Sequence, residues 1–273
     1  MWEKYYLLDL SVLMNGGGEP SKTDAMKKEM EALLDRERLL KYRQKKNEKG
    51  ALQSLGAGLL LQLAVQEYAE MRGQETRTNP LSQHTPQTVL ECLKGKQLIE
   101  VAYRYGTLGK PYFRDLPLCF SLSHSGEAVF LAASEAEIGA DIQHVTNADW
   151  KNLAERFYGR TDLDRMGICE NNDIMGEVAE KPGSAISHGT DSSFGDAEKR
   201  ELFYQLWTRK EAYGKLTGEG VYKYLDREVP SEEQGIFWDC WKTTIGRKDY
   251  FLSVCRKTGN GEGQFLTEML KDR

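Results

Sequence analysis

Residues 120–143 constrain the fold more than any other stretch of this 273-residue chain. They open on Phe-Ser-Leu-Ser-His-Ser-Gly and continue through an apolar run at 128–133. A polar break at Ser134-Glu135-Ala136-Glu137 follows, and the stretch resumes as Ile-Gly-Ala-Asp-Ile-Gln at 138–143. Val129, Phe130 and Leu131 suit a pleated, buried strand. The polar break has low strand preference, so the pattern predicts a hairpin in which 128–133 turns back as 138–143. Side chains alternate along a strand, so Asp141 and Gln143 face one side. Ser123, His124 and Ser125 sit at one end of the preceding strand. Two oxygen ligands beside a histidine make a place where a hard cation and an anionic substrate can meet.

Composition narrows what such a site can serve. The net charge of −5 excludes nucleic-acid binding by overall charge, so any anion site is a local patch. The 40% hydrophobic content is enough for a sizeable core. The five cysteines are scattered with no Cys-x-x-Cys pair, which predicts a reduced, cytoplasmic protein. Met-Trp-Glu-Lys at the start carries no basic leader, and Asp9 interrupts the apolar residues after it, so no signal peptide is expected. The longest apolar run, 55–65, is about 11 residues, too short to span a bilayer.

Along the chain, a first strand is expected over 5–13, then a loop at Asn15-Gly16-Gly17-Gly18-Glu19-Pro20. Ser21 or Thr23 caps a helix that Met26, Met30, Leu33 and Leu34 extend to about Tyr42. The basic cluster Arg36, Arg38, Lys41, Arg43, Lys45, Lys46 and Lys49 reads either as a solvated face or as a landing site for phosphate or an acidic partner. A second helix is expected over 49–71, where Gly56 and Gly58 imply close packing. Residues 72–86 read as a loop, 88–93 as a short helix, 98–105 as a strand, and 106–111 as a turn carrying Lys110. After the hairpin, Asn147 or Asp149 caps a helix reaching Phe157. Residues 163–197, rich in Gly, Ser, Asn, Asp and Glu, read as a flexible insertion or lid in which His188 has no specific role. Residues 198–216 are the clearest helix, with Leu202, Phe203, Leu206, Trp207 and Tyr213 as its apolar face. Glu211 and Lys215, four apart on that helix, read by themselves as an intrahelical salt bridge. Strands over 236–245 and 250–256 close the fold.

Two other chemistries fit poorly. Ser123 and His124 are adjacent on a strand, so they point to opposite faces and do not form a nucleophile–base pair. Four scattered histidines and unpaired cysteines lack zinc-ligand spacing.

Four pieces recur in one order: Gly-Lys-Pro at 109–111, Phe-Ser-Leu-Ser-His-Ser-Gly at 120–126, Gly-Ala-Asp-Ile-Gln at 139–143, and Trp-Thr-Arg-Lys-Glu-Ala-Tyr-Gly-Lys at 207–215. Together they resemble the surfactin-type (Sfp-type) 4′-phosphopantetheinyl transferases, most closely over residues 98–220. The resemblance implies an α+β fold of two similar, pseudo-symmetric lobes. Small antiparallel sheets pack with helices, and the active site lies in the cleft between the lobes. It implies an N-terminal lobe over 1–136 and a C-terminal lobe over 137–273, the latter holding the insertion.

It also implies an activity: Mg2+-dependent transfer of the phosphopantetheine arm of coenzyme A to a serine of an apo acyl, peptidyl or aryl carrier protein, releasing 3′,5′-ADP. A monomer with neither a nucleic-acid nor a membrane partner is expected. Asp141 and Glu211 match the acidic metal ligands, and Gln143 stands where many members carry a glutamate third ligand. Ser123 and His124 match contacts to the coenzyme A phosphates, and Lys110 matches a nucleotide-side contact. Lys215 matches the lysine paired with the pyrophosphate, and Glu211 is placed to accept the carrier serine's proton. Asp162 matches a further acidic position. Gln53 replaces an arginine common in relatives, which leaves Lys45, Lys46 or Lys49 for the 3′-phosphate. Two other activities share these residue types: a weakened relative that only binds coenzyme A or carriers, and a Mg2+-dependent phosphodiesterase acting on a related linkage.

The residue types suit that chemistry independently of the family. Magnesium prefers oxygen ligands and keeps several waters, so two or three protein oxygens suffice. Phosphoryl transfer is mostly positioning and charge neutralisation.

Overall fold

The computed structural model describes residues 1–15, 19–71, 81–168 and 195–257. In chain order, the N-terminal part comprises β1 (Glu3–Asp9), α1 (Ser11–Met14), α2 (Pro20–Ala32), α3 (Arg36–Arg43), α4 (Glu48–Met71), β2 (Leu81–His84), α5 (Pro86–Leu93), β3 (Tyr103–Tyr105), β4 (Pro111–Phe113), β5 (Cys119–Ser125) and β6 (Ala128–Ser134). It continues as β7 (Ile138–His144), α6 (Trp150–Phe157), α7 (Arg160–Met166), α8 (Asp196–Thr217), β8 (Ile236–Ile245) and β9 (Lys248–Lys257). This is the α+β architecture that was expected, with small, largely antiparallel sheets packed with helices.

Two sheets carry the molecule. The first has the order β2-β1-β6-β5, with only β1–β2 parallel, and the second has the order β7-β9-β8. Side-chain alternation sorts the core into layers. Tyr6, Leu8, Val129 and Leu131 lie in one apolar cluster with α4, whose Leu55, Leu59, Leu60 and Leu63 are fully buried. Their neighbours Tyr5, Leu7, Phe130 and Ala132 lie in a second cluster with Ile138, Ala140 and Ile142 of β7 and with Leu252 and Val254 of β9. A strand covered on both faces needs an unbroken apolar run, and β6 has one. The other face of β7, with Gly139 and Asp141, turns to α8. Gly58 of α4 packs as its spacing implied: a Cβ there would lie 2.3 Å from Leu34 Cδ2.

The predicted hairpin is corrected. β6 does not turn back as β7; it pairs with β1 and β5, while β7 pairs with β9 in the other sheet. The physical reason lies in the polar break. Glu135 accepts the Trp2 N–H at 2.8 Å and Glu137 pairs with Lys110 at 2.6 Å, so 135–137 is a tethered crossover instead of a tight turn. The hairpin lies one strand earlier, between β5 and β6, where Gly126 takes φ 55°. Ser123, His124 and Ser125 therefore belong to a strand of their own.

Other boundaries move for local reasons. The first strand ends at Asp9, whose carboxylate accepts the Ser11 N–H at 2.7 Å and starts a helical turn. The helix expected to reach Tyr42 is two helices. It starts at Pro20 with no side-chain cap from Ser21 or Thr23, and Asp35 caps the second by accepting the Arg38 N–H at 2.9 Å. The loop expected over 72–86 contains β2, parallel to β1, and the start of α5; 72–80 lie outside the described residues. Of the strand expected over 98–105, only Tyr103–Tyr105 forms. The preceding backbone is held by buried glutamines of α4, Gln62 on the Ile99 carbonyl and Gln66 on that of Gln97. The insertion expected over 163–197 is shortened at both ends, since 163–166 belong to α7 and 196–197 to α8; 169–194, with Cys169 and His188, lie outside the described residues. The Asp149-capped helix, α8 and the closing strands fall where the sequence puts them. Among the described residues no helix is long and apolar enough to cross a membrane.

Candidate active site

β5, β7 and α8 wall a cavity of about 280 Å³ whose lining includes Ser123, His124, Asp141, Gln143, Trp207, Glu211 and Lys215. Each side chain arrives by simple periodicity. Asp141 and Gln143 are two apart on β7, while Trp207, Glu211 and Lys215 are successive four-residue steps on α8 and so form one stripe. Trp207, which the sequence assigned to the apolar face, is half-buried and serves as a wall. The spacing to Glu211 and Lys215 was the signal for it.

Asp141 is the centre. It is 4% exposed, and its Oδ1 accepts from Ser123 Oγ at 2.6 Å and from Lys215 Nζ at 2.7 Å. Its Oδ2 is buried with no hydrogen-bond partner. Lys215 thus bridges to the strand carboxylate and not to Glu211, four residues before it. Burial first, and then the charge of Asp141, push the Glu211 carboxyl up to about 7 against the opposing pull of Lys215. The His124 imidazole opens onto the cavity, and partial desolvation chiefly, with the charges of Lys215 and Lys45, holds it below its ordinary value. It is therefore neutral at pH 7 and gains positive character beside an anion. Ser123 Oγ donates to Asp141, in line with the expectation that Ser123 and His124 do not pair.

Several expected contacts are arranged differently. Lys110 does not line this cavity. Its Nζ bonds Glu137 at 2.6 Å and the Leu216 carbonyl at 2.9 Å, so it caps the last turn of α8. Ser123 reaches Asp141, which makes it a support for that carboxylate. Lys45, Lys46 and Lys49 are exposed around the α3–α4 connection. Lys45 acts electrostatically on His124, whereas Lys49 lines a second cavity of about 330 Å³ with His144, Glu127 and Lys248. Gln53 donates to the Gly126 carbonyl at 3.0 Å and so holds the β5–β6 turn. Gln143 lines the catalytic cavity, with Nε2 3.5 Å from its neighbour's carbonyl at His144.

Asp162 lies elsewhere. It pairs with Lys210 at 2.7 Å, both side chains 2% exposed, and Lys210 also donates to the Tyr224 and Arg227 carbonyls at 3.1 and 2.5 Å. This pair ties α7 and the segment after α8 to the helix bearing Glu211. Asp162→Asn leaves a buried lysine uncompensated and is expected to cost about 3–5 kcal/mol of stability, measured by denaturant unfolding.

Among the described residues no group of three or more His, Cys, Asp or Glu side chains is placed to hold a metal. The cavity offers two carboxylates and an amide. That set fits a magnesium ion, which keeps part of its water shell. Lys215 pairs with one Asp141 oxygen, but Oδ2 is left without a donor and the Glu211 carboxyl is raised by burial and by Asp141, so a second cation would be favoured here.

Comparison with known proteins bears on this arrangement. Residues 137–238 match the sequence profile (ACPS) of the 4′-phosphopantetheinyl transferase superfamily. That segment carries Asp141, Gln143, Glu211 and Lys215. The chain is similar to the 4′-phosphopantetheinyl transferase psf-1 of Bacillus pumilus, 32% identical over 41% of this chain and 38% of the relative. It is also similar to AcpT of Escherichia coli, 34% identical over 44% and 51%, and to gsp of Aneurinibacillus migulanus, 30% identical over 48% and 48%. These matches span about half the length of the curated relatives. The motifs singled out in the sequence and the matches agree on one family, the 4′-phosphopantetheinyl transferase superfamily.

Proposed function

We propose that this chain transfers the 4′-phosphopantetheine group of coenzyme A to a serine of an apo carrier protein, with magnesium, releasing 3′,5′-ADP. The observation that carries the reading is the meeting of Asp141 and Glu211, from a strand and a distant helix, in one cavity with Lys215 and His124. The lobes are proposed as residues 1–136 and 137–273, following the change of sheet between β6 and β7.

Asp141 and Glu211 would hold magnesium, with Gln143 as a neutral oxygen donor. Bound there, the ion would neutralise charge on the diphosphate and polarise the phosphorus under attack. Lys215 bonds Asp141 at the wall of the cavity, and its positive charge would offset the charge that develops on the leaving oxygen. His124 presents a neutral ring that donates to a phosphate oxygen. The carrier serine oxygen forms a bond to the phosphorus nearest the pantetheine. The bond from that phosphorus to the oxygen of the nucleotide phosphate breaks, and 3′,5′-ADP departs. Glu211, directly or through one water, takes the hydroxyl proton.

Incubation with coenzyme A, Mg2+ and a panel of apo-carriers should add the mass of one phosphopantetheine to a carrier. No gain on any carrier defeats the proposal, and loss of that mass from a holo-carrier would indicate the phosphodiesterase instead. Gln143→Glu adds a negative ligand and is expected to lower the Mg2+ concentration for half-maximal rate by about tenfold. An unchanged requirement would place Gln143 away from the metal. Lys45 and Lys46 stand exposed at the α3–α4 connection and are proposed for the 3′-phosphate, so Lys45→Glu with Lys46→Glu should raise KM for coenzyme A about tenfold. The same change should leave KM for 3′-dephospho-coenzyme A alone. The chain carries every wall of the cavity, so a monomer is proposed. The described cysteines Cys92, Cys119, Cys240 and Cys255 are free, in keeping with the reducing cytoplasm proposed for it.

A further inference from the structure

β7 has one edge laddered to β9 and the other facing β5 across the junction of the two sheets. No backbone ladder joins β5 to β7. The hydroxyls of one face of β5 take its place. Ser121 Oγ accepts the Ala140 N–H at 2.9 Å and donates to the Ala140 carbonyl at 3.4 Å. Ser125 Oγ accepts the His144 N–H at 3.0 Å. Between them, Ser123 Oγ reaches the Asp141 carboxylate at 2.6 Å. Residues 121, 123 and 125 share a face because strand side chains alternate.

The junction has a mechanical consequence. A hydroxyl spacer pins β7 at two points while holding it off β5, and this leaves room for the cavity beside them. One pin is the residue before Asp141, and the other is the residue after Gln143. The ladder to β9 fixes which face of β7 carries Asp141; the serines fix where β7 lies along β5, and a shift at this junction would carry the Asp141 carboxylate off Ser123. A ladder would fix the register too, but it would draw the strands to about 4.8 Å and close the gap.

We propose that Ser121 and Ser125 are positioning residues of the transfer site: through the β7 backbone they fix where β7 lies along β5, which brings the Asp141 carboxylate to Ser123 and the cavity. This inference rests on the transferase reading above and extends it to residues that touch no substrate.

The test uses the full chain with Ser121→Ala, Ser125→Ala and Ser125→Thr, the last keeping a hydroxyl. Each alanine variant is expected to lower kcat about tenfold with KM for coenzyme A within about twofold. Ser125→Thr should stay within about threefold of the parent. A fall in Tm with kcat unchanged well below Tm, or no rescue by threonine, overturns the proposal. A second readout does not need activity. Amide hydrogen exchange in Ser125→Ala should speed up at Asp141 and Ile142 as well as at His144, because the register loosens as a unit. Faster exchange confined to His144 overturns the proposal. If the parent chain transfers nothing, the transferase reading fails by itself, and the exchange pattern still decides whether the serines set the strand.

Discussion

Gly139→Ala is expected to abolish most transfer activity, about 100-fold or more in kcat, and to destabilise the fold. A Cβ at 139 would lie 2.0 Å from the Ala212 carbonyl oxygen and 2.5 Å from the Leu216 backbone nitrogen. Neither is the end of a flexible side chain. Both belong to the backbone of α8, so relief requires the helix to lift from β7. Overpacking of a well-filled interior costs about 1–3 kcal/mol, and a clash with rigid backbone belongs at the upper end. Ala212 and Leu216 directly follow Glu211 and Lys215 in sequence. Lifting the helix by about 1 Å therefore moves the carboxylate and the ammonium away from Asp141, a displacement worth about 100-fold. Thermal unfolding and steady-state kinetics on Gly139→Ala check this together. Parent-like Tm with kcat within a few-fold would mean that α8 is not seated on β7 as described.

Glu211→Gln is expected to act in opposite directions on activity and stability. Loss of the proton acceptor should lower kcat by roughly 10²–10⁴. With EDTA present, the same change should stabilise the protein above neutral pH. The Glu211 carboxyl is raised from 4.5 to about 7 by burial and by Asp141. Between those values the folded chain binds a proton that the unfolded chain releases. Stability from this group is therefore greatest at the acid end of the window and is lost as pH rises through it. Glutamine carries no such penalty. At pH 8 the variant should be more stable by about 2 kcal/mol, after allowance for solvent screening of a half-buried group. At pH 4, below the unfolded value of 4.5, the two proteins should converge. Paired denaturant curves at these pH values measure the difference. A variant less stable at pH 8 would show that Glu211 ionises without cost in the folded chain.

Both results turn on a seat that local sequence describes only in part. The Trp207–Glu211–Lys215 stripe was legible because helical spacing alone puts those side chains on one face. The pairing of Asp141 with Gln143 was legible because a strand alternates. The salt bridge was misassigned for the same reason that made it visible. Glu211 and Lys215 are neighbours on the helix, but Lys215 finds a stronger partner in the buried Asp141. Lys110, expected as a nucleotide-side contact, bonds Glu137 and the Leu216 carbonyl of α8, partners that its place in a turn did not disclose. Asp162 looked like an acidic site residue, and a buried lysine from α8 claims that too.

What the sequence determined by itself was the inventory: where the long helices and closing strands lie, which faces are apolar, and which polar residues share a face. Periodicity and caps are properties of a few neighbouring residues, and the chain writes them directly. Only the tertiary structure decided that β6 and β7 part into different sheets and that serines bridge them. It also decided that α8 closes down on a glycine. Those outcomes depend on which buried group, among residues from 18 to 133 positions apart, finds the partner that best repays its removal from water.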